Sequence, residues 1–100
     1  MKTEDMKKHI VEKMEKLGVI INEIQSDKVP NLIFIMPLGT IYFVEILENK
    51  NTENTKKKFL QTVEKSFTLT FDEKRGVFYK DDDEDFTLEK LIWAIKWSQY

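Results

Sequence analysis

The chain has 100 residues, of which 41% are hydrophobic and 12% aromatic, enough for one core-bearing domain spanning 1–100. The net charge of -2 gives no overall attraction to nucleic acid, and the absence of cysteine excludes disulfides, thiol nucleophiles and zinc-thiolate sites. No apolar run approaches the roughly 20 residues of a membrane span, and the charged start of the chain lacks the apolar stretch of a secretion signal, so a cytoplasmic setting is expected.

Residues 3–17 read as a helix. Met6, Ile10, Met14 and Leu17 form an apolar stripe at helical spacing, and Gly18 is a natural stop. Val19 to Ile24 is apolar and β-branched enough for a strand, and Gln25 to Pro30 is a polar connection. Leu32 to Met36 is an uninterrupted apolar run, the pattern of a strand covered on both faces. Pro37-Leu-Gly-Thr40 is a turn that joins it to a strand over Ile41 to Glu48 as a hairpin. Asn49 to Thr55 is a polar loop.

A second helix is predicted over 54–66, with Phe59, Leu60, Val63 and Phe67 inward. Phe67 to Phe71 alternates apolar and threonine, a strand pattern; Asp72 to Gly76 turns, and Val77 to Tyr79 is a short strand. Asp81 to Asp85 reads as an acidic loop. Thr87 begins a last helix that runs to about Gln99, with Leu88, Leu91, Ile92 and Ile95 facing the core. The predicted architecture is α/β, in the order α-β-β-β-α-β-(β)-α, a mixed central sheet flanked by helices.

The segments Gly18-Val-Ile-Ile, Val29-Pro-Asn-Leu-Ile-Phe-Ile and Phe43-Val-Glu-Ile-Leu-Glu, in this order of elements, resemble the VRR-Nuc family. This is the small virus-type replication-repair branch of the PD-(D/E)xK, or restriction-endonuclease-like, nucleases. The resemblance covers roughly residues 4–71. Its pattern is a helix with an early Glu, a strand, Gly-x-Pro-Asp-Leu, a Glu-x-Lys strand, and a helix carrying a Gln. The resemblance implies a site in which carboxylates hold Mg²⁺, the metal acidifies a water, and the lysine balances charge in the transition state.

Carried onto this chain, the pattern is incomplete. Glu4 stands for the early helical Glu and Glu45 for the strand Glu, but Asn31 replaces the Asp and Leu47 the Lys; the Gln position falls near Lys56 or Lys57. Asn31 and Glu45 are then relic metal-site candidates, and no cofactor is expected. Losing Asp and Lys together removes members of one catalytic unit, so a catalytically inactive, nuclease-like binding protein is expected. The resemblance to small phage proteins adds an inhibitor of a nucleic-acid-processing complex, of the anti-CRISPR kind, as the form such binding takes. The alternative is a Mg²⁺-dependent structure-specific DNA endonuclease. It would use Glu4, Glu45 or Glu48, Lys50 and Gln61, because Glu48-Asn-Lys50 is also Glu-x-Lys.

Each feature has a plainer reading as well. Glu45 lies in an apolar run, where a carboxylate needs a partner, so a salt-bridged strand position competes with the relic site. His9 among lysines is a solvated helix position, and Lys56-Lys-Lys58 a solvated turn or a phosphate contact. The run Asp81, Asp82, Asp83, Glu84 and Asp85 is a solvated loop, a weak calcium candidate without the EF-hand spacing, or a phosphate mimic for a basic channel. Trp93, Trp97 and Tyr100 recur on a face of the last helix away from Leu88. That pattern suits a homodimer contact, docking to another protein, or packing under the first helix. Protein partners are thus favoured over nucleic acid, and no membrane is expected.

Overall fold

The computed structural model describes residues 3–97 and 100. Three helices and six strands follow the order α1 (Thr3–Glu15), β1 (Ile20–Glu23), β2 (Leu32–Ile35), β3 (Ile41–Leu47), α2 (Lys57–Thr62), β4 (Ser66–Asp72), β5 (Val77–Lys80), β6 (Asp83–Thr87) and α3 (Leu88–Lys96). The strands lie side by side in chain order, β1-β2-β3-β4-β5-β6. All neighbours are antiparallel except β3 and β4, which are parallel. A parallel pair needs a crossover, and the segment that contains α2 supplies it. The result is a small α+β domain with a mixed sheet.

The register sorts the side chains onto two faces. Leu32 pairs with Val44, Val44 with Phe67, Ile46 with Leu69 and Phe71 with Phe78, so these share the first face. Met6, Ile10 and Met14 of α1 and Leu88, Leu91 and Ile95 of α3 close over that face to form the core. Fully burying such side chains stabilises by about 1.5–3 kcal/mol each. Phe34 and Leu32 are wholly buried there, whereas Ile33 and Ile35 on the other face are only half-buried. The strand predicted to be covered on both faces is therefore covered fully on one. The reason is α2, which spans six residues instead of the predicted 54–66, and none of its residues is buried. Val63 already has extended backbone, and Phe67 belongs to β4.

The punctuation is set by a few backbone positions. Gly18 has φ +85°, and the Val19 and Gly18 N–H groups donate to the Met14 and Glu15 carbonyls at 3.3 and 3.1 Å. This is a Schellman closure, with Val19 buried beside Met14 as its apolar contact. Gly39 at φ +94° closes the β2–β3 hairpin, donating to the Met36 carbonyl at 2.8 Å. Thr87 caps α3 by accepting from the Lys90 N–H at 3.5 Å. The helix ends at Lys96, and Gln99, its predicted end, lies outside the described residues.

The acidic run is only partly a loop. Asp81 and Asp82 make the turn, Asp81 at φ +53°, and Asp83 to Asp85 enter β6. Aspartate is a poor strand former, but pairing to β5 and a 2.7 Å hydrogen bond from Arg75 Nη2 to the Glu84 carbonyl hold the segment extended.

Candidate functional site

The second face of the sheet carries the residues of interest. Extending the Leu32–Val44 pairing by one step places Asn31 opposite Glu45, and Glu45 pairs with Thr68 across the parallel ladder. Leu47, two residues on, shares this face. Asn31, Glu45 and Leu47 thus lie on one side of the sheet.

Glu45 is 4% exposed. A carboxylate so deep must be paired, and its partner is Lys56, whose Nζ lies 2.8 Å from Glu45 Oε2. Lys56 is itself partly buried, with 13% of its side chain exposed. This corrects the reading of Lys56-Lys-Lys58 as a solvated turn: Lys57 and Lys58 are exposed, and Lys56 turns inward. Asn54 prepares that approach. Its Oδ1 accepts from the Lys56 N–H at 3.0 Å, an Asx turn that sets the entry into α2. Asn31 Oδ1 is also buried and has no hydrogen-bond partner among the described residues.

The implied divalent cation does not fit these residues. Glu45 is the one buried carboxylate among the described residues and is engaged by an ammonium, and Asn31 adds an uncharged oxygen. A hard dication needs the negative charge of several carboxylates, and among the described residues no three His, Cys, Asp or Glu side chains come together.

The remaining candidates divide between the two faces. Glu48 accepts a hydrogen bond from the Thr3 hydroxyl at the start of α1, and Glu4 is an exposed α1 residue 3.7 Å from Lys7. Both belong to the α1 side of the sheet, opposite Glu45. Lys50 and Gln61 line a groove of about 760 Å³ on the second face, with Lys57 beside them and Asp81 and Asp82 across it. Thr68, Thr70 and Tyr79 meet this groove from the sheet. Burial holds the Tyr79 phenol above its ordinary pKa, reinforced by the negative charge of Glu84, while a hydrogen bond with Thr70 opposes the shift.

Asp81 is largely structural. Its N–H and Oδ1 continue the β4–β5 ladder to Thr68 at 2.9 and 3.2 Å. Asp82, Asp83, Glu84 and Asp85 are exposed. Trp93 and Trp97 are 57% and 65% exposed and lie 5.9 Å apart, ring to ring, on the outer side of α3. Tyr100 is separate from them: it is half-buried, 5.5 Å from the Tyr42 ring on the core face. His9 is exposed, as expected, and stacks on Phe78 at 6.1 Å. No described helix is long and apolar enough to cross a membrane.

No protein-family model matches the chain, and neither a curated protein nor a solved structure gives a match. The sequence pointed to Glu45 but missed Lys56 as its partner; the available signal was the rule that a carboxylate inside an apolar run needs a cation nearby.

Proposed function

We propose that this chain is a catalytically silent domain of restriction-endonuclease-like architecture whose role is binding. The single observation that carries this reading is the buried Lys56–Glu45 ion pair beside an unpartnered Asn31. A site of the implied type sums two carboxylates and one ammonium to a charge of about -1, which attracts a dication. Here one carboxylate and one ammonium sum to zero, and the side chain at the lysine position is Leu47. The order helix, three antiparallel strands, crossover helix and parallel strand also agrees with what the resemblance implies.

Binding would fall to the exposed surfaces, namely the acidic β5–β6 hairpin and the indole pair of α3. An inhibitor of a nucleic-acid-processing complex is the form this reading takes, with the hairpin carboxylates matching a basic channel. The test is incubation of the purified chain with branched and flapped DNA in Mg²⁺ or Mn²⁺. No cleavage is expected. Cleavage that disappears in Glu45→Ala would overturn the proposal in favour of a structure-specific endonuclease.

A further inference from the structure

The crossover helix α2 stands between two grooves on the second face of the sheet. Lys57, Leu60 and Gln61 line the groove of about 760 Å³ on one flank. Lys58, Phe59 and Thr62 line another of about 470 Å³, together with Lys28, Thr55 and Val63. At about 100° per residue the two sets of α2 side chains fall on roughly opposite sides of the helix. The helix is therefore a ridge with a groove along each flank, and none of its residues is buried.

Its own sequence does little to keep it helical. Six residues are far fewer than an isolated helix needs to persist in water. Lys56, Lys57 and Lys58 stand at its N-terminal end, where the helix dipole disfavours cations. The first turn has no acidic residue and no side-chain cap to offset them. Contact with the sheet holds α2 instead. Lys56 pairs with Glu45, the Phe59 ring meets Phe43 edge-on at 5.0 Å, and the Ser66 hydroxyl lies within hydrogen-bond distance of the Leu60 and Val63 carbonyls. Few buried contacts and exposed backbone hydrogen bonds mark a unit that opens more readily than the whole fold.

We infer that α2 is a cover that lifts from the second face as a unit while the sheet stays formed. Lifting joins the two grooves into one trough and uncovers Phe43 and Glu45, whose partners Phe59 and Lys56 leave with the cover. The core does not take part, because α1 and α3 close over the other face. The sheet beneath α2 is thus open to a binding partner only in the lifted form. This motion is independent of the nuclease-like reading, since it depends on the helix and its contacts alone.

Native-state hydrogen exchange of the full chain, followed through low urea, tests it. The Leu60 and Val63 N–H groups donate to the Lys56 and Phe59 carbonyls at 3.0 and 2.8 Å and report on the cover. The paired amides of β3 and β4 report on the sheet. The α2 amides should be protected, yet exchange at least about 100-fold faster than the slowest sheet amides. Their rate should be nearly flat in urea below the unfolding transition, because lifting exposes little surface. Phe59→Ala should speed them by about 10-fold through loss of the ring contact. Lys58→Glu should slow them by about 5-fold, because it exchanges a cation for an anion at the helix start. Lys58 is exposed, so this second variant keeps the test intact even if Phe59→Ala does not fold. Exchange of the α2 amides only together with the sheet, at the same urea slope, would overturn the inference. So would α2 amides with no protection, which would leave no closed form, or a rate that Lys58→Glu leaves unchanged or raises.

Discussion

Lys56 Nζ stands 2.8 Å from Glu45 Oε2, with both side chains largely shielded from water. The pair links the crossover segment to the middle of β3. Desolvating two ions costs much of what their attraction returns, so the pair is better understood as fixing geometry than as a large net source of stability. It engages Glu45, the one buried carboxylate among the described residues.

The first prediction concerns that pair. Lys56→Met should destabilise the fold by about 3–5 kcal/mol, because it leaves Glu45 buried without a counter-ion. Glu45→Gln with Lys56→Met should recover a large part of the loss. Urea unfolding of the wild type, both single variants and the double variant measures the coupling. A Lys56→Met variant within about 0.5 kcal/mol of wild type would mean that the two groups do not meet in solution.

Much of this fold was legible beforehand, for identifiable reasons. The Met6-Ile10-Met14 stripe ended by Gly18, the Pro37–Thr40 turn and the Phe-Thr-Leu-Thr-Phe alternation each combine local chemistry with the correct periodicity. The failures arose where long-range contact overrides propensity. Asp83 to Asp85 became strand because β5 and Arg75 hold them, and α2 is short because Val63 must already be extended to enter β4. Asn31 and Glu45 could be placed opposite each other from hairpin register alone. Lys56 could not, because three consecutive lysines carry no periodic signal that singles out the buried one.

The second prediction tests the charge argument at Asn31. Asn31→Asp adds a carboxylate directly across from Glu45 and should lower the melting temperature in metal-free buffer through like-charge repulsion. Millimolar Mn²⁺ should raise it again, since a ligand that binds only the folded state stabilises it. The wild-type melting temperature should be insensitive to the same Mn²⁺. A wild-type shift as large as that of Asn31→Asp would show that the Glu45–Lys56 pair does not exclude a dication.

The β4–β5 turn gives an acid-dependent prediction. The Arg75 side chain donates to Asp72 Oδ2 at 2.6 Å and holds the Asp72 carboxyl below its ordinary pKa; the same bond raises the Arg75 guanidinium. A carboxylate whose folded pKa is depressed contributes stability above its unfolded pKa of about 4, and loses it as pH falls through the lower folded value. The stability difference between wild type and Arg75→Gln should therefore be constant from about pH 7 to 5 and shrink below about pH 4. If the effect of Arg75→Gln shrinks equally in an Asp72→Asn background, which has no carboxyl to titrate at this position, the acid limb belongs to another group.

Tyr79 supplies the alkaline counterpart. It is 5% exposed beside Thr70, which is itself 3% exposed, at the base of the groove between α2 and the β5–β6 hairpin. Burial raises its pKa, as ionising the phenol would strand a charge away from water, and nearby Glu84 adds to the shift. A raised folded pKa means that the stabilisation is complete below the unfolded pKa of about 10 and is lost as pH climbs through the folded value. Tyr79→Phe should flatten the fall in stability above about pH 10. The tyrosinate absorbance should then lose the step displaced above the ordinary tyrosine range. Should that step persist in Tyr79→Phe, the closed base of the groove seen around Tyr79 would not describe the protein in solution.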